Sequence, residues 1–281
     1  MKIDLVDVFG TEAFAGNPLA VVHDAQGLSD AQMLALTRWI GFSETTFLLP
    51  PTREDADYRV RIFYPAGELP FAGHPTLGSC HAWLQAGGVP RREGRVMQEC
   101  GVGLVEVRQE GEIPSFRAPP LSRHEPLDPA DLAEAIRLTG IDPATVVEGV
   151  HIVNGPKWKL LRLDSAAAVL AADPSARAEP GTDIGIAGPI EPGGAADWEL
   201  RAFFADELGR FREDPVTGSF NAGVALHLFG DNIAAGSYRA AQGRKTGANG
   251  IVNCVADADG GAWIGGRCDT ISSGGALPVF E

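Results

Sequence analysis

Cysteine is scarce in this sequence, with four residues in 281. Cys80, Cys100, Cys254 and Cys268 show no C-x-x-C spacing, and they are too few for a scaffold stapled by disulfides, so we expect reduced thiols. The sequence also lacks the run of about 18 apolar residues that a membrane span needs. Residues 1–7 contain acids where a signal peptide requires an apolar stretch. These absences predict a cytoplasmic protein that does not enter a membrane.

Basic residues are in the minority. The chain has 37 Asp and Glu against 23 Lys and Arg, which gives a formal net charge of −14. A negative field repels phosphate backbones and anionic lipid surfaces, so neither nucleic acid nor a membrane is an expected partner. A small anion remains possible as a ligand, because a local site can be positive inside a negative envelope.

Motifs for metals and nucleotides are missing as well. The six histidines form no H-x-H or H-x-x-x-H pair, so the sequence predicts no metal site. The glycine-rich stretch 185–188 is followed by Pro189 and Pro192 rather than by a helix, which excludes a dinucleotide fingerprint. We therefore expect no metal and no cofactor.

What the sequence does contain is a globular composition, with 44 % hydrophobic residues and a mean hydropathy of −0.01. Its length corresponds to about two domains or one large one. The 35 Gly and 20 Pro are scattered, which indicates many turns between short strands. The strand-length segments that we identify are Lys2–Val8, Leu19–Val22, Tyr58–Phe63, Gly103–Arg108, Lys159–Leu163 and Glu199–Phe204.

Three segments show the apolar spacing and the capping residues of amphipathic helices. Ser29–Ile40 begins with a Ser cap and stops at Gly41, Pro129–Leu138 follows Asp128, and Ser165–Ala172 is the third. We interpret Ala176–Ala196 as a loop that helps to shape the substrate pocket.

Two further helices, Pro75–Leu84 and Gly218–Leu228, are apolar on nearly all sides, which is typical of buried helices. Each follows an Arg-containing aromatic strand and a turn with an acidic residue, and this order recurs about 140 residues apart. The repeat predicts two similar halves, each a curved, mostly antiparallel sheet around one central helix, with a boundary between Pro119 and Asp128.

The loops before the two buried helices are the predicted site. A helix start offers unpaired N–H groups and about half a positive charge, so it attracts an anion where glycine permits close approach. Our hypothesis is that both helices point at one cleft that holds a substrate carboxylate.

Glu44, His74 and Asp214 are candidate catalytic residues with simpler alternatives. Glu44 stands at the start of an apolar strand, where partial burial would suit proton transfer, or it is an exposed residue after a helix. His74 at a helix start is a catalyst or a structural hydrogen bonder. Asp214 is a functional acid or a helix cap.

Four segments carry distinctive motifs: 14–22 (FAGNPLAVV), 43–47 (SETTF), 63–78 (FYPAGELPFAGHPTLG) and 214–219 (DPVTGS). Together these motifs resemble the PhzF family of phenazine-biosynthesis-like isomerases. The resemblance extends over essentially the whole chain, although Gln242–Gly247 matches its family segment only loosely.

The resemblance implies an α+β fold of the diaminopimelate-epimerase type, with two pseudo-symmetric halves that are each a mostly antiparallel β-barrel around a central helix. The halves would be residues 1–119 and 120–281, and the last strand is free to return to the N-terminal half. Members of the family usually form homodimers, so a homodimer is expected.

The resemblance also implies an isomerase without cofactor that moves a proton between carbons of a small conjugated carboxylic acid. Glu44 would be the general acid and base, and His74, Asp214 and Ser219 would assist it. Gly73 and Gly218 would offer backbone N–H groups to the substrate carboxylate, with Thr76 and Thr217 beside them. One carboxyl group can remove and return a proton, so a single Glu suffices for such a shift.

Alternatives from other classes stay open. A two-thiol racemase of the same fold is disfavoured, because Ala72 and Pro215 stand where its cysteines would be. A serine hydrolase would use Ser219, His74 and Asp214, but the G-x-S-x-G elbow is lacking. A protein that binds a small carboxylate without catalysis is the third alternative. Lys157 and Trp158 are either ligand contacts or a surface lysine beside a packed tryptophan.

Overall fold

The computed structural model describes residues 1–111 and 113–278. Its strands, in chain order, are β1 Lys2–Val8, β2 Asn17–His23, β3 Thr45–Leu49, β4 Tyr58–Tyr64, β5 Gly67–Leu69, β6 Arg95–Cys100, β7 Gly103–Glu110, β8 Ile113–Arg117, β9 Arg123–Pro126, β10 Val146–Val153, β11 Lys159–Leu163, β12 Asp183–Pro189, β13 Trp198–Ala205, β14 Phe211–Asp214, β15 Ser237–Gln242, β16 Gly250–Ala256, β17 Ala262–Gly265 and β18 Cys268–Ala276. Its α-helices are α1 Asp30–Ile40, α2 Gly73–Gln85, α3 Pro129–Thr139, α4 Ala166–Ala171 and α5 Gly218–Gly230. The predicted mixture of many short strands and few helices is confirmed.

The chain divides into two compact units, one formed by residues 1–117 with 265–281 and the other by residues 118–264. In the first unit, β1 lies between β18 and β2 and is antiparallel to both. The sheet continues through a parallel β2–β3 pair and an antiparallel β3–β4 pair. Strand β4 then pairs with both β5 and β6.

The second unit repeats this order strand for strand. Strand β10 is antiparallel to β11, which is parallel to β12, which is antiparallel to β13. Strand β13 then pairs with β14 and, in parallel, with β15. The predicted internal repeat is therefore present in the hydrogen-bond pattern itself, and most of the pairs are antiparallel as expected.

Helices α2 and α5 are the buried helices that the small-residue pattern predicts. Helix α2 contacts β1, β2, β3, β6, β7, β8 and β18, so strands surround it within its unit. Helix α5 contacts β10 and β16. Gly78 and Gly223 permit these contacts, since an added Cβ would lie 2.6 Å from Leu19 Cδ2 and 2.9 Å from Ile152 Cδ1, respectively.

The capping residues that the sequence predicts for α1, α3 and α4 are confirmed. Ser29 caps α1 in a capping box with Gln32, and Gly41 ends the helix with a φ of 79°. Asp128 accepts from two backbone N–H groups at the start of α3, and Ser165 caps α4. Within the described ranges, no helix is long and apolar enough to span a bilayer.

The interpretation of Ala176–Ala196 as a loop is wrong, because β12 lies inside this segment. Ile184, Ile186 and Ala187 in this strand are fully buried. Gly185 in this strand is required by packing, because an added Cβ would lie 2.1 Å from the Phe220 ring. A strand that is buried on both faces shows no alternation, which is why the pattern missed it.

Candidate functional site

Glu44 directly precedes β3, which lies between β2 and β4 in the first unit. Helix α1 ends at Gly41 in a left-handed conformation, and this turn leads the chain into the strand. The Glu44 side chain is 17 % exposed. It is therefore a mostly enclosed carboxyl group with access to solvent, and not the exposed residue of the simpler interpretation.

His74 lies beside Glu44, with 3.4 Å between its Nε2 atom and Oε2 of Glu44. It belongs to the first turn of α2 and its side chain is 7 % exposed. Burial lowers the pKa of His74 to about 3. The imidazole is therefore neutral at physiological pH, so it faces Glu44 as an uncharged polar group and not as a cation.

The start of α2 carries the other predicted residues of the first unit. Gly73, His74 and Thr76 are buried there, and the preceding Ala72 provides no side-chain cap. Because no side chain caps this end, its backbone N–H groups and the positive end of the helix dipole are directed at the space in front of the helix. This arrangement suits an anionic group.

Gln98 fixes this helix start and was missed by the sequence reasoning. Its Nε2 donates to Thr76 Oγ1 over 3.0 Å, and its Oε1 accepts from the Tyr58 hydroxyl over 2.8 Å. Gln98 is fully buried in β6 on the same face as Val96. A polar residue at a core-facing strand position is the signal that could have found it.

The predicted residues of the second unit also lie together. Asp214 ends β14 and accepts a hydrogen bond of 2.5 Å from Thr217 Oγ1. Thr217 precedes α5, whose first residue is Gly218. Gln242 donates from Nε2 to Thr217 Oγ1 over 2.9 Å and accepts from the Thr217 N–H. Gln242 therefore plays the part in this unit that Gln98 plays in the other.

Ser219 follows Gly218 and is held by two groups outside the predicted site. Its Oγ accepts a hydrogen bond of 3.0 Å from Trp158 Nε1, and its backbone carbonyl accepts from Asn154 Nδ2 over 2.8 Å. Because an indole N–H only donates, it cannot take the proton from the Ser219 hydroxyl. The hydroxyl thus keeps its own proton for donation, and its contacts do not favour a serine nucleophile.

The sequence left two interpretations for Lys157 and Trp158, either ligand contacts or a surface lysine beside a packed tryptophan. In the structure Trp158 is packed. It is 3 % exposed and its ring lies 5.2 Å from that of Phe220. Lys157 is exposed, and its backbone N–H donates to Asp183. The alternative of a surface lysine beside a packed tryptophan is therefore confirmed, with the addition that Trp158 contacts Ser219.

The thiols do not provide acid–base groups. Burial raises the pKa of Cys80 and of Cys254 to about 12, and it also raises the pKa of Cys100 and Cys268. All four cysteines are free. Since a thiol must be ionised to remove a proton, the chemistry of a two-thiol racemase finds no support here.

Residues 6–263 match the family of phenazine biosynthesis-like proteins. The chain belongs to this family. Among curated relatives, this phenazine biosynthesis-like protein is 32 % identical to "Antisense-enhancing sequence 1" of Schizosaccharomyces pombe, over 96 % of each chain. It is 35 % identical to the trans-2,3-dihydro-3-hydroxyanthranilate isomerase of Pseudomonas aeruginosa, over 80 % of this chain and 78 % of the relative.

Solved structures give the same fold. A phenazine biosynthesis protein of the PhzF family from Enterococcus faecalis matches with a TM-score of 0.80 and 23 % identity, covering 99 % of this chain and 100 % of that one. A probable proline racemase from Agrobacterium radiobacter matches with a TM-score of 0.58 and 15 % identity, covering 98 % and 92 %. The predicted epimerase-like fold is confirmed, and the prediction of a PhzF-family isomerase is confirmed at the level of the family.

Proposed function

We propose that this chain is an isomerase that moves a proton between two carbon atoms of a small conjugated carboxylic acid, and that Glu44 carries the proton. The observation that carries the proposal is the enclosed carboxyl group of Glu44 beside the neutral imidazole of His74. The name of the Pseudomonas aeruginosa relative, a dihydro-hydroxyanthranilate isomerase, supports the substrate class.

The reaction needs no oxidant or reductant. A C–H bond of the substrate breaks, its proton passes to the Glu44 carboxylate, and its electron pair spreads over the conjugated system. The protonated Glu44 then returns the proton to another carbon of that system, so the substrate keeps its composition. A single carboxyl group that acts first as base and then as acid is sufficient.

His74 and the start of α2 supply the surroundings for this step. The imidazole is uncharged, so it orients the Glu44 carboxylate or a substrate oxygen without neutralising either of them. Negative charge that develops on the substrate is stabilised by the N–H groups and the dipole at the helix start. Gly73 carries no side chain that would hinder close approach.

The residues at the start of α5 in the second unit are assigned to substrate binding. One lone pair of the Ser219 hydroxyl accepts from Trp158, and its O–H bond is a donor for a carboxylate. Gly218 and Thr217 lie at the start of α5, an anion-attracting helix end like that of α2. Their roles, that of Asp214 and the homodimer expected from the family resemblance remain predictions.

The test is hydrogen exchange at carbon. The purified chain is incubated in D₂O with a panel of conjugated hydroxy-carboxylates that includes trans-2,3-dihydro-3-hydroxyanthranilate, and deuterium uptake is followed by NMR. We expect uptake with at least one compound, and a loss of about a hundredfold or more in Glu44→Gln. Glu54→Gln, at an exposed carboxylate in the same unit, should keep full activity.

Two outcomes separate the alternatives. Uptake that persists in Glu44→Gln would assign the proton transfer to another group. Saturable binding of a panel compound with no uptake at all would favour a carboxylate-binding protein without catalysis.

A further inference from the structure

A cluster of possible metal ligands lies at the end of α5 that is remote from Ser219. His227 stands in the last turn of this helix and Asp231 directly follows it. His124 comes from β9. The Nε2 atom of His124 lies 3.0 Å from Nδ1 of His227, and Oδ2 of Asp231 lies 3.3 Å from the same Nδ1 atom. The three ligand atoms lie within 4.8 Å of one another.

The other nitrogen of His227 is held by a carboxylate. Its Nε2 atom lies 3.1 Å from Oε1 of Glu148, which also accepts a hydrogen bond from Arg162. The ion pair with Arg162 makes Glu148 an acceptor toward His227, so Nε2 of His227 is the donor to Glu148 and Nδ1 is turned toward His124 and Asp231.

This arrangement holds the three ligand atoms close together. With Nε2 turned toward Glu148, Nδ1 of His227 faces Nε2 of His124 at 3.0 Å and the Asp231 carboxylate at 3.3 Å. His227 is fully buried, so its ring keeps this orientation. A carboxylate behind the imidazole is the usual orienting group for a histidine that binds a metal.

The distances also suit a metal. Nitrogen–metal bonds are about 2.0–2.1 Å long, so two nitrogen atoms 3.0 Å apart subtend an angle of about 90° at a shared ion. Two imidazoles and one carboxylate are ligands for zinc, cobalt, nickel or iron in the divalent state, with the remaining positions open to water. His124 and Asp231 are exposed, so an ion can enter from solution.

We propose that His124, His227 and Asp231 bind one divalent transition-metal ion, with Glu148 as the positioning residue behind His227. The ion joins β9 to the end of α5. Because His227 comes nine residues after Gly218, the site lies about 13 Å along the helix from its start. It is therefore a structural site that is separate from Thr217, Gly218 and Ser219 at the start of this helix.

The experiment uses the untagged chain, freed of metal with a chelator, and Zn²⁺ as the probe. Calorimetric titration should give saturable binding of one ion per chain, and scanning calorimetry should show a higher melting temperature with Zn²⁺. Asp231→Asn and His124→Ala change exposed side chains and should each weaken binding at least about tenfold. Cobalt(II) should give a visible absorption spectrum that the same variants lose.

Two matched variants complete the test. Glu125→Gln removes an exposed carboxylate next to His124 on the opposite face of β9, and it should keep wild-type affinity. Glu148→Gln should weaken binding about 10- to 100-fold through the orientation of His227. The proposal is overturned if the wild-type chain shows no saturable binding. It is also overturned if the ligand variants and Glu125→Gln have equal affinities.

Discussion

Gln98 donates a hydrogen bond to Thr76 over 3.0 Å and so ties strand β6 to the first turn of helix α2. In the second unit, Gln242 makes the equivalent bond from β15 to Thr217 over 2.9 Å. Each unit thus uses one buried glutamine to hold the start of its central helix. The helix starts are the regions where we expect the substrate, so their rigidity bears on function as well as on stability.

The Gln98 contact leads to a first prediction. Gln98→Ala removes the partner of two buried hydroxyl groups, those of Tyr58 and Thr76. Leaving such groups without a partner should lower the free energy of unfolding by about 2 kcal/mol or more. Urea unfolding measures the loss. Gln85→Ala, at an exposed position of α2, should stay within about 0.5 kcal/mol of wild type, and equal losses in both variants would contradict the assigned role.

His74 leads to a prediction on pH. Its pKa in the folded chain is about 3, below the ordinary 6.5 that applies after unfolding. Between these two values the unfolded chain binds the proton and the folded chain does not. The free energy of unfolding should therefore fall as the pH drops below 6.5, by up to about 1.4 kcal/mol per pH unit from this residue.

Comparison of wild type with His74→Gln isolates that contribution. The stability advantage of the wild type over the variant should be greatest at or above pH 7 and should shrink as the pH falls toward 5. Urea unfolding at several pH values gives both curves. Parallel curves would show that His74 is not a buried neutral imidazole.

Glu199 should have the opposite pH dependence. It is fully buried in β13, and burial raises its pKa from 4.5 to about 7, although Arg244 lies 3.3 Å from its Oε2. The folded chain binds the proton more tightly than the unfolded chain, so this residue makes the protein less stable as the pH rises from 4.5 to 7.

Glu199→Gln should be close to wild type in stability near pH 5, where Glu199 is protonated and of similar shape. At pH 8 the variant should be more stable by about 2 kcal/mol, because no charge has to be buried. Thermal unfolding at the two pH values tests this. A variant that is less stable than wild type at pH 8 would indicate that the Arg244 interaction outweighs burial.

Gly185 leads to a prediction on packing in the second unit. In Gly185→Ala the new methyl group would lie 2.1 Å from the Phe220 ring, which belongs to the first turn of α5. Such overpacking should lower the free energy of unfolding by about 1–3 kcal/mol. Gly230→Ala, in the last turn of α5 with no atom within 4 Å, should be neutral or stabilising by about 0.5–1 kcal/mol. Equal changes in the free energy of unfolding for the two variants would show that the Phe220 ring does not restrict position 185.

Local sequence was enough to predict the caps of α1, α3 and α4, the two buried helices, the internal repeat and the family. These features depend on neighbours along the chain: a Ser or Asp before a helix, small residues on every side of it, and a motif that recurs in order. The apolar run after Glu44 likewise predicted that this residue stands at the start of a strand.

Which of these residues contact one another became visible in the folded chain. It placed His74 3.4 Å from Glu44, Trp158 against Ser219, and His124 against His227, a pair 103 positions apart. It also turned the supposed loop around Gly185 into a buried strand. Periodicity shows which side chains face inward, but the partners that they meet depend on strand register and helix placement, which are set by the packing of the whole unit.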